Sequence, residues 1–161
     1  MVSSSTSFVT SVLAAAQRFH ISPKQLILEI LESEVIGSLT DLSSVLRDYR
    51  STGLLFAIDD FGTGYSSLSQ LRTLPFDRIK IDRSFIINMD KGEKGVAIVA
   101  AIIAMAHSLG LSVIAEGVEK KSHIDLLNMM HCDIAQGYFI SHPLPARDFE
   151  RMMSNPEQRS A

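Results

Sequence analysis

Three features of the sequence predict an α/β fold built on a parallel sheet. Short, largely β-branched apolar segments recur along the chain, helical patterns lie between them, and the strand-like segments are apolar almost throughout instead of alternating. Strands of that kind bury both faces under flanking helices, which leaves two architectures open: a doubly wound sheet or part of a (β/α) barrel. The 161 residues match the length of one ordinary domain, and 46% hydrophobic residues suffice for a core.

The elements follow in order. A helical pattern, "SFVTSVLAAAQRFH", precedes the first strand segment, "QLILEIL". "DLSSVLRDYRSTG" reads as a helix with Asp41 as N-cap and Gly53 as the stop, leading into "GLLFAIDDF". "RIKIDRSF" is the third strand segment. "GVAIVAAIIAMAHSLG" is a buried helix that stops at Gly110, too short to cross a bilayer, and "LSVIAEGV" follows it. "SHIDLLNMM", with Ser122 as cap, leads to "DIAQGYFI", and "PARDFERMM" closes the series with Pro145 or Ala146 near its first turn. The serines of "MVSSSTS" read as a frayed start or a linker remnant, since no charged start and apolar core of a secretory signal is present. The polar "SNPEQRSA" reads as a mobile tail.

Composition narrows the partners. A formal net charge of -3, with no dense basic block, gives no footprint for nucleic acid or an anionic membrane. The single cysteine, Cys132, has no second thiol to pair with, which favours a reducing, cytoplasmic setting and reads as a small buried apolar residue. The methionines fit helix core faces, and none of the five histidines is assigned a catalytic role.

Charged and amide residues fall at or near the C-terminal ends of the strand segments: Glu29, Asp59 with Asp60, Lys80 with Asp82, Glu116, and Gln136. In a parallel sheet those ends share one side, so the residues converge on one mouth. A single strand-end acid is ordinarily a helix cap or a surface ion pair, and Lys80 with Asp82 makes a fair structural pair on one strand face. Convergence from five strand segments is what points to a site. Adjacent ionised carboxylates repel and lose hydration when buried, so Asp59 and Asp60 need a cation, a hydrogen-bond network or a shared proton. The set is rich in oxygen and holds no histidine or cysteine, which suits hard ions such as Mg²⁺, Mn²⁺ or Ca²⁺. Two such ions can clamp the attacking and leaving oxygens of a phosphoryl displacement, with a lysine stabilising the charge that develops.

The segments "IDDFGTGYSSL", "RIKIDRSFI", "VIAEGVE" and "AQGYFISHPLP", in this order, resemble the EAL domain, the bacterial phosphodiesterase for cyclic di-GMP, and "LILEILES" is similar to that family's E-x-T-E strand motif. The resemblance runs from about Phe8 to Met153. It implies a partial TIM-like (β/α) barrel of about five parallel strands with flanking helices, spanning residues 1–153, before a polar tail at 154–161. It implies metal-dependent hydrolysis of cyclic di-GMP to linear pGpG in bacterial second-messenger signalling of the kind that governs biofilm. Glu29, Asp59, Asp60 and Glu116 are then metal ligands, with Asp59 bridging two Mg²⁺ or Mn²⁺ ions, and Ca²⁺ is inhibitory. Lys80 holds or polarises the nucleophilic water, Gln136 helps position that water or the metal shell, and Glu116 shares the catalytic set. Glu32 and Glu119 brace the loop "FGTGYSS" after Asp60, which in that family couples dimerisation to metal and substrate binding, and Asp82 falls on the substrate. A homodimer and upstream sensor or GGDEF-type domains in a longer parent are the implied partners.

Leu31 stands where E-x-T-E has threonine, and the E-A-L and N-x-S motifs, which supply metal ligands in that family, do not occur in this chain. By the same resemblance the chain starts at the helix after the third of eight barrel strands. It is therefore expected to leave two open sheet edges, to dimerise, rearrange or be marginally stable, and to be weak or inactive alone. The alternative is a non-catalytic module that binds cyclic di-GMP or a protein. A third reading, Mg²⁺-assisted proton abstraction as in enolase-like barrels, sits poorly with the adjacent Asp pair and the motif order.

Overall fold

The computed structural model describes residues 2–35, 39–64 and 68–154. Along the chain run α1 (Val2–Arg18), β1 (Ile27–Leu31), α2 (Glu32–Val35), α3 (Leu39–Arg50), β2 (Leu55–Phe61), α4 (Leu68–Thr73), β3 (Arg78–Ile81), α5 (Arg83–Asn88), α6 (Glu93–Ser108), β4 (Ser112–Glu116), α7 (Lys121–Met129), β5 (Ile134–Gln136) and α8 (Ala146–Ser154). The five strands form one sheet in the order β1-β2-β3-β4-β5, every pair parallel. This is the α/β arrangement that the uniformly apolar strands predict.

The central strands are sealed on both sides. Phe56, Ala57 and Ile58 of β2, Ile79 and Ile81 of β3, and Val113 and Ala115 of β4 are buried. Helix α6 packs against β3 and β4, burying Val99, Ile103 and Ala106, which recur at the helical spacing of one face. It stops as the sequence requires: Leu109 caps it and Gly110 follows at a φ of 74°, where a side chain would be strained.

Two matching clamps lock the strand starts on the side away from the mouth. Asp77, just before β3, accepts the backbone N–H of Phe56 at 2.9 Å and pairs with Arg50 from the end of α3 at 2.9 Å. Asp133, just before β5, accepts the N–H of Val113 at 2.8 Å and pairs with His107 from the last turn of α6 at 2.9 Å. Each aspartate thereby ties a helix, the next strand and its own strand together. The hydrogen bonds from His107 and the Val113 N–H outweigh the effect of burial and hold the Asp133 carboxyl below its ordinary range.

Some boundaries differ from the sequence expectation. The N-terminal serines are not a frayed start: α1 runs from Val2. Asp41 is not a cap, because α3 starts at Leu39. Lys120, not Ser122, caps α7, and its side chain makes no capping bond. "RIKIDRSF" is a strand only to Ile81, because the Asp82 carboxylate accepts the Ser84 N–H at 3.0 Å and starts α5 at Arg83. "DIAQGYFI" is a strand for three residues only, since Phe139 turns back to donate its N–H to the Val118 carbonyl at 2.9 Å. Pro145 and Ala146 do mark the start of α8. Cys132 is half-buried, and burial pushes its thiol up from its ordinary range. Tyr65, Ser66, Ser67 and the tail 155–161 lie outside the described residues. Among the described residues no helix is long and apolar enough to cross a membrane.

Candidate functional site

Parallel pairing brings the strand ends to one side, and Lys80 organises what gathers there. On β3 its side chain lies between two strands on each side and is only 6% exposed. An ammonium has three protons to donate, and all three find carboxylates: Glu29 Oε2 at 2.6 Å, Asp59 Oδ1 at 2.8 Å and Glu116 Oε1 at 2.9 Å. Residues 51 and 21 positions before Lys80 and one from β4 therefore meet on a single nitrogen. Burial favours loss of the Lys80 proton, but the bonds it donates to Asp59, Glu29 and Glu116 outweigh this and hold the ammonium above an ordinary lysine.

Asp59 and Asp60 would point to opposite faces of a regular strand. They do not here, because β2 carries an irregularity: Ile58 pairs with Ile79 and Phe61 with Ile81, so β2 uses one residue more than β3 over the same interval. Asp60 takes the slack at a φ of 55°, a left-handed conformation costing about 1–3 kcal/mol for a residue other than glycine. The consequence is chemical: oxygens of Asp59, Asp60 and Glu116 all lie within 4.8 Å of one another. Burial, with the Asp59 and Asp82 charges, raises the Asp60 carboxyl above its ordinary range against the pull of Lys80.

The loop after Asp60 is held from below. Glu32 is 3% exposed, and its Oε2 accepts the N–H of Gly62 at 2.8 Å and of Gly64 at 3.0 Å. Gly62 has a φ of 100°, and a Cβ there would fall 2.5 Å from the Phe85 ring. Glu119, by contrast, takes Arg83 of α5 as its side-chain partner at 2.5 Å, and no bond from it to the loop is found among the described residues. Asp82 spends its carboxylate on the start of α5, accepting from both the backbone and the hydroxyl of Ser84. Gln136 pairs in register with Glu116 across β4 and β5, and its side chain is exposed.

The residues present fit a hard divalent cation. Three part-exposed carboxylates converge, the donors are oxygens only, and three carboxylates pair with one ammonium. Glu29 stands outside the three-carboxylate group and reaches it through Lys80. Two features were not legible in the sequence. The bulge has no glycine to announce it, and Arg83 gave no signal beyond its place two residues before Phe85.

The class defined by this geometry is a (β/α)-barrel-type module whose strand ends form an acidic, cation-accepting mouth. The model of the EAL domain matches residues 2–143, and the chain belongs to that family. It is 40% identical over 147 residues to the cyclic di-GMP phosphodiesterase NbdA of Pseudomonas aeruginosa, which covers 91% of this chain but 19% of NbdA. It is 38% identical to the solved PaMucR phosphodiesterase in complex with c-di-GMP, with a TM-score of 0.83 over 88% of this chain and 57% of that one. The manganese/cy-diGMP complex of Klebsiella pneumoniae BlrP1 is 33% identical, with a TM-score of 0.77 over 84% of this chain and 34% of that one. The chain thus spans about a fifth of the length of curated relatives such as NbdA.

Proposed function

We propose that this chain forms part of the catalytic domain of a cyclic di-GMP phosphodiesterase, acting by metal-dependent hydrolysis of the cyclic dinucleotide to linear pGpG. The observation that carries the reading is the mouth itself: Asp59, Asp60 and Glu116 brought within 4.8 Å, beside an ammonium shared by Glu29, Asp59 and Glu116. A bound Mg²⁺ or Mn²⁺ supplies Lewis-acid activation of water and neutralises charge on the phosphodiester. Asp59, Asp60 and Glu116 would hold it, with Glu29 completing the acidic wall. Two ions, bridged by Asp59, and inhibition by Ca²⁺ follow on the same reading. Lys80 holds three carboxylates in place, and its fixed charge faces the position where negative charge grows during displacement. Gln136, level with Glu116, orients water at the mouth.

Glu32 secures the loop after Asp60 by holding two of its backbone N–H groups. Glu119 and Asp82 act one step away, the first through Arg83 and the second through the start of α5. Residues 1–153 are read as one partial EAL domain. A homodimer, a sensor or GGDEF-type domain in a longer parent, and a cytoplasmic site of action are parts of the same proposal.

A second reading has one observation in its favour. Glu29 is 45% exposed and Gln136 is exposed, so the two edge strands present their site residues with little support. Binding of cyclic di-GMP without turnover by this chain alone fits that exposure. The test is hydrolysis of cyclic di-GMP with Mn²⁺ or Mg²⁺ by this chain, by its Asp59→Ala and Glu29→Ala variants, and by a version extended with the three preceding βα units of a relative. Weak turnover that rises on extension and disappears in Asp59→Ala is expected. Turnover that is indifferent to Asp59 overturns the proposal, and calorimetric binding without product supports the module.

A further inference from the structure

His123 is 1% exposed, lies in the first turn of α7, and has no part in the chemistry above. Both ring nitrogens face polar groups. Nδ1 accepts the backbone N–H of Glu119 at 3.4 Å, and Nε2 lies 3.2 Å from Asp90 Oδ1, off the line of a straight hydrogen bond and with no other polar partner among the described residues. Asp90 also takes the Lys120 ammonium at 2.5 Å. The short turn after α5 is thereby tied to Lys120 and lies against His123 at the start of α7.

The segment between β4 and α7 is fixed residue by residue. A Cβ on Gly117, whose φ is 70°, would fall 2.1 Å from Arg83 Cγ, so the arginine stem lies directly across this glycine. Val118 donates its N–H to the Gln136 carbonyl at 3.0 Å and accepts from Phe139. The Glu119 carboxylate is taken by Arg83, and its N–H is the group left for His123. Glu116 opens this segment. An N–H aimed at Nδ1 requires that nitrogen to be unprotonated, which puts the single ring proton on Nε2 toward Asp90.

We propose that His123 is a positioning residue for the acidic mouth: as the neutral, Nε2-protonated tautomer it bridges Asp90 to the Glu119 backbone and so fixes the segment that begins with Glu116. The effect on metal rests on the function proposed above; the effect on the backbone does not. Glutamine offers a carbonyl and an N–H on one short stem, so it can serve both partners, whereas leucine fills the space and serves neither.

The test has three readouts on the full chain. Nitrogen NMR of the histidine rings should show His123 with Nδ1 bare and Nε2 protonated at neutral pH; the opposite tautomer overturns the proposal with no substitution made. Amide exchange at residues 117–120 should rise at least tenfold in His123→Leu and return to within threefold of wild type in His123→Gln, with α6 unchanged in both. Unchanged exchange in His123→Leu, or equal loosening in the two variants, contradicts it. Should His123→Leu fail to fold, Asp90→Asn carries the same comparison, with a smaller rise expected at the same amides and none meaning the bridge has no role. Mn²⁺ affinity should fall about fivefold in His123→Leu and recover in His123→Gln. If wild type binds no Mn²⁺, the proposed function fails while the exchange data still decide the role of His123.

Discussion

The centre of the sheet and its two edges are built from similar apolar sequence yet end in different states. β2, β3 and β4 are covered on both faces, with Ile58 and Ile79 fully buried. In β1 and β5, Leu31 is 43% and Ile134 36% exposed, and these strands carry Glu29 and Gln136. Neighbours make the difference: each central strand has a partner on both sides, while β1 and β5 have one each. The proposed site therefore straddles a better-covered half, Asp59, Asp60, Lys80 and Glu116, and a more exposed half, Glu29 and Gln136.

The most direct way to break this contrast is to remove the central cation. Lys80→Met leaves three carboxylates converging on an apolar stem and should cost about 4 kcal/mol in chemical denaturation. A loss below about 1 kcal/mol would show that the centre does not depend on it. Paired truncations sharpen the contrast. Ile79→Ala should cost about 3 kcal/mol through the cavity it leaves, and Ile134→Ala less than about 1 kcal/mol, because part of its surface already meets water. Equal losses would mean that β5 is packed as tightly as β3. At the junction of the two regions, Gly137→Ala places a Cβ 2.1 Å from the Val118 carbonyl oxygen, and a loss of about 2 kcal/mol is expected.

The pH dependences should also divide by region. The folded-state pKa of Lys80 is raised, so its contribution is complete below the ordinary lysine value of 10.5 and is lost as pH rises through the higher folded value. Asp133, at the β5 clamp, is lowered, so its contribution is complete above the ordinary 3.8 and is lost as pH falls through the lower folded value. Amide exchange should show β5 loosening first in acid, and Asp133→Asn should abolish that difference from β3. The smallest effect is expected at the edge acid: Glu29→Gln, half in water, should change stability by no more than about 0.5 kcal/mol.

Much of this was legible in the sequence because it depends on local pattern. Uniformly apolar strands announced a parallel sheet, and strand-end placement of Glu29, Asp59, Lys80, Glu116 and Gln136 announced one mouth. What depends on long-range geometry was not legible. Adjacent Asp59 and Asp60 share a mouth only through the bulge and the left-handed Asp60, and no glycine marks either. Asp82 read as one more strand-end residue of the mouth and fell on the substrate by resemblance, yet its short carboxylate also suits a helix cap and accepts the nearby Ser84 N–H. Glu119 was placed near the Asp60 loop by resemblance, and nothing in the sequence showed that the Arg83 side chain, laid across Gly117, would pair with it.

On the proposed reading, Asp59, Asp60 and Glu116 form a divalent-cation site on a scaffold held by Lys80. Titration of Mn²⁺ into the wild-type chain and into Asp59→Asn, followed by calorimetry or by loss of the free-ion paramagnetic resonance signal, tests it most directly. Saturable binding to wild type, weakened at least tenfold in Asp59→Asn with the fold intact, is the expected result. No binding to wild type, or the same affinity in both proteins, would contradict the account.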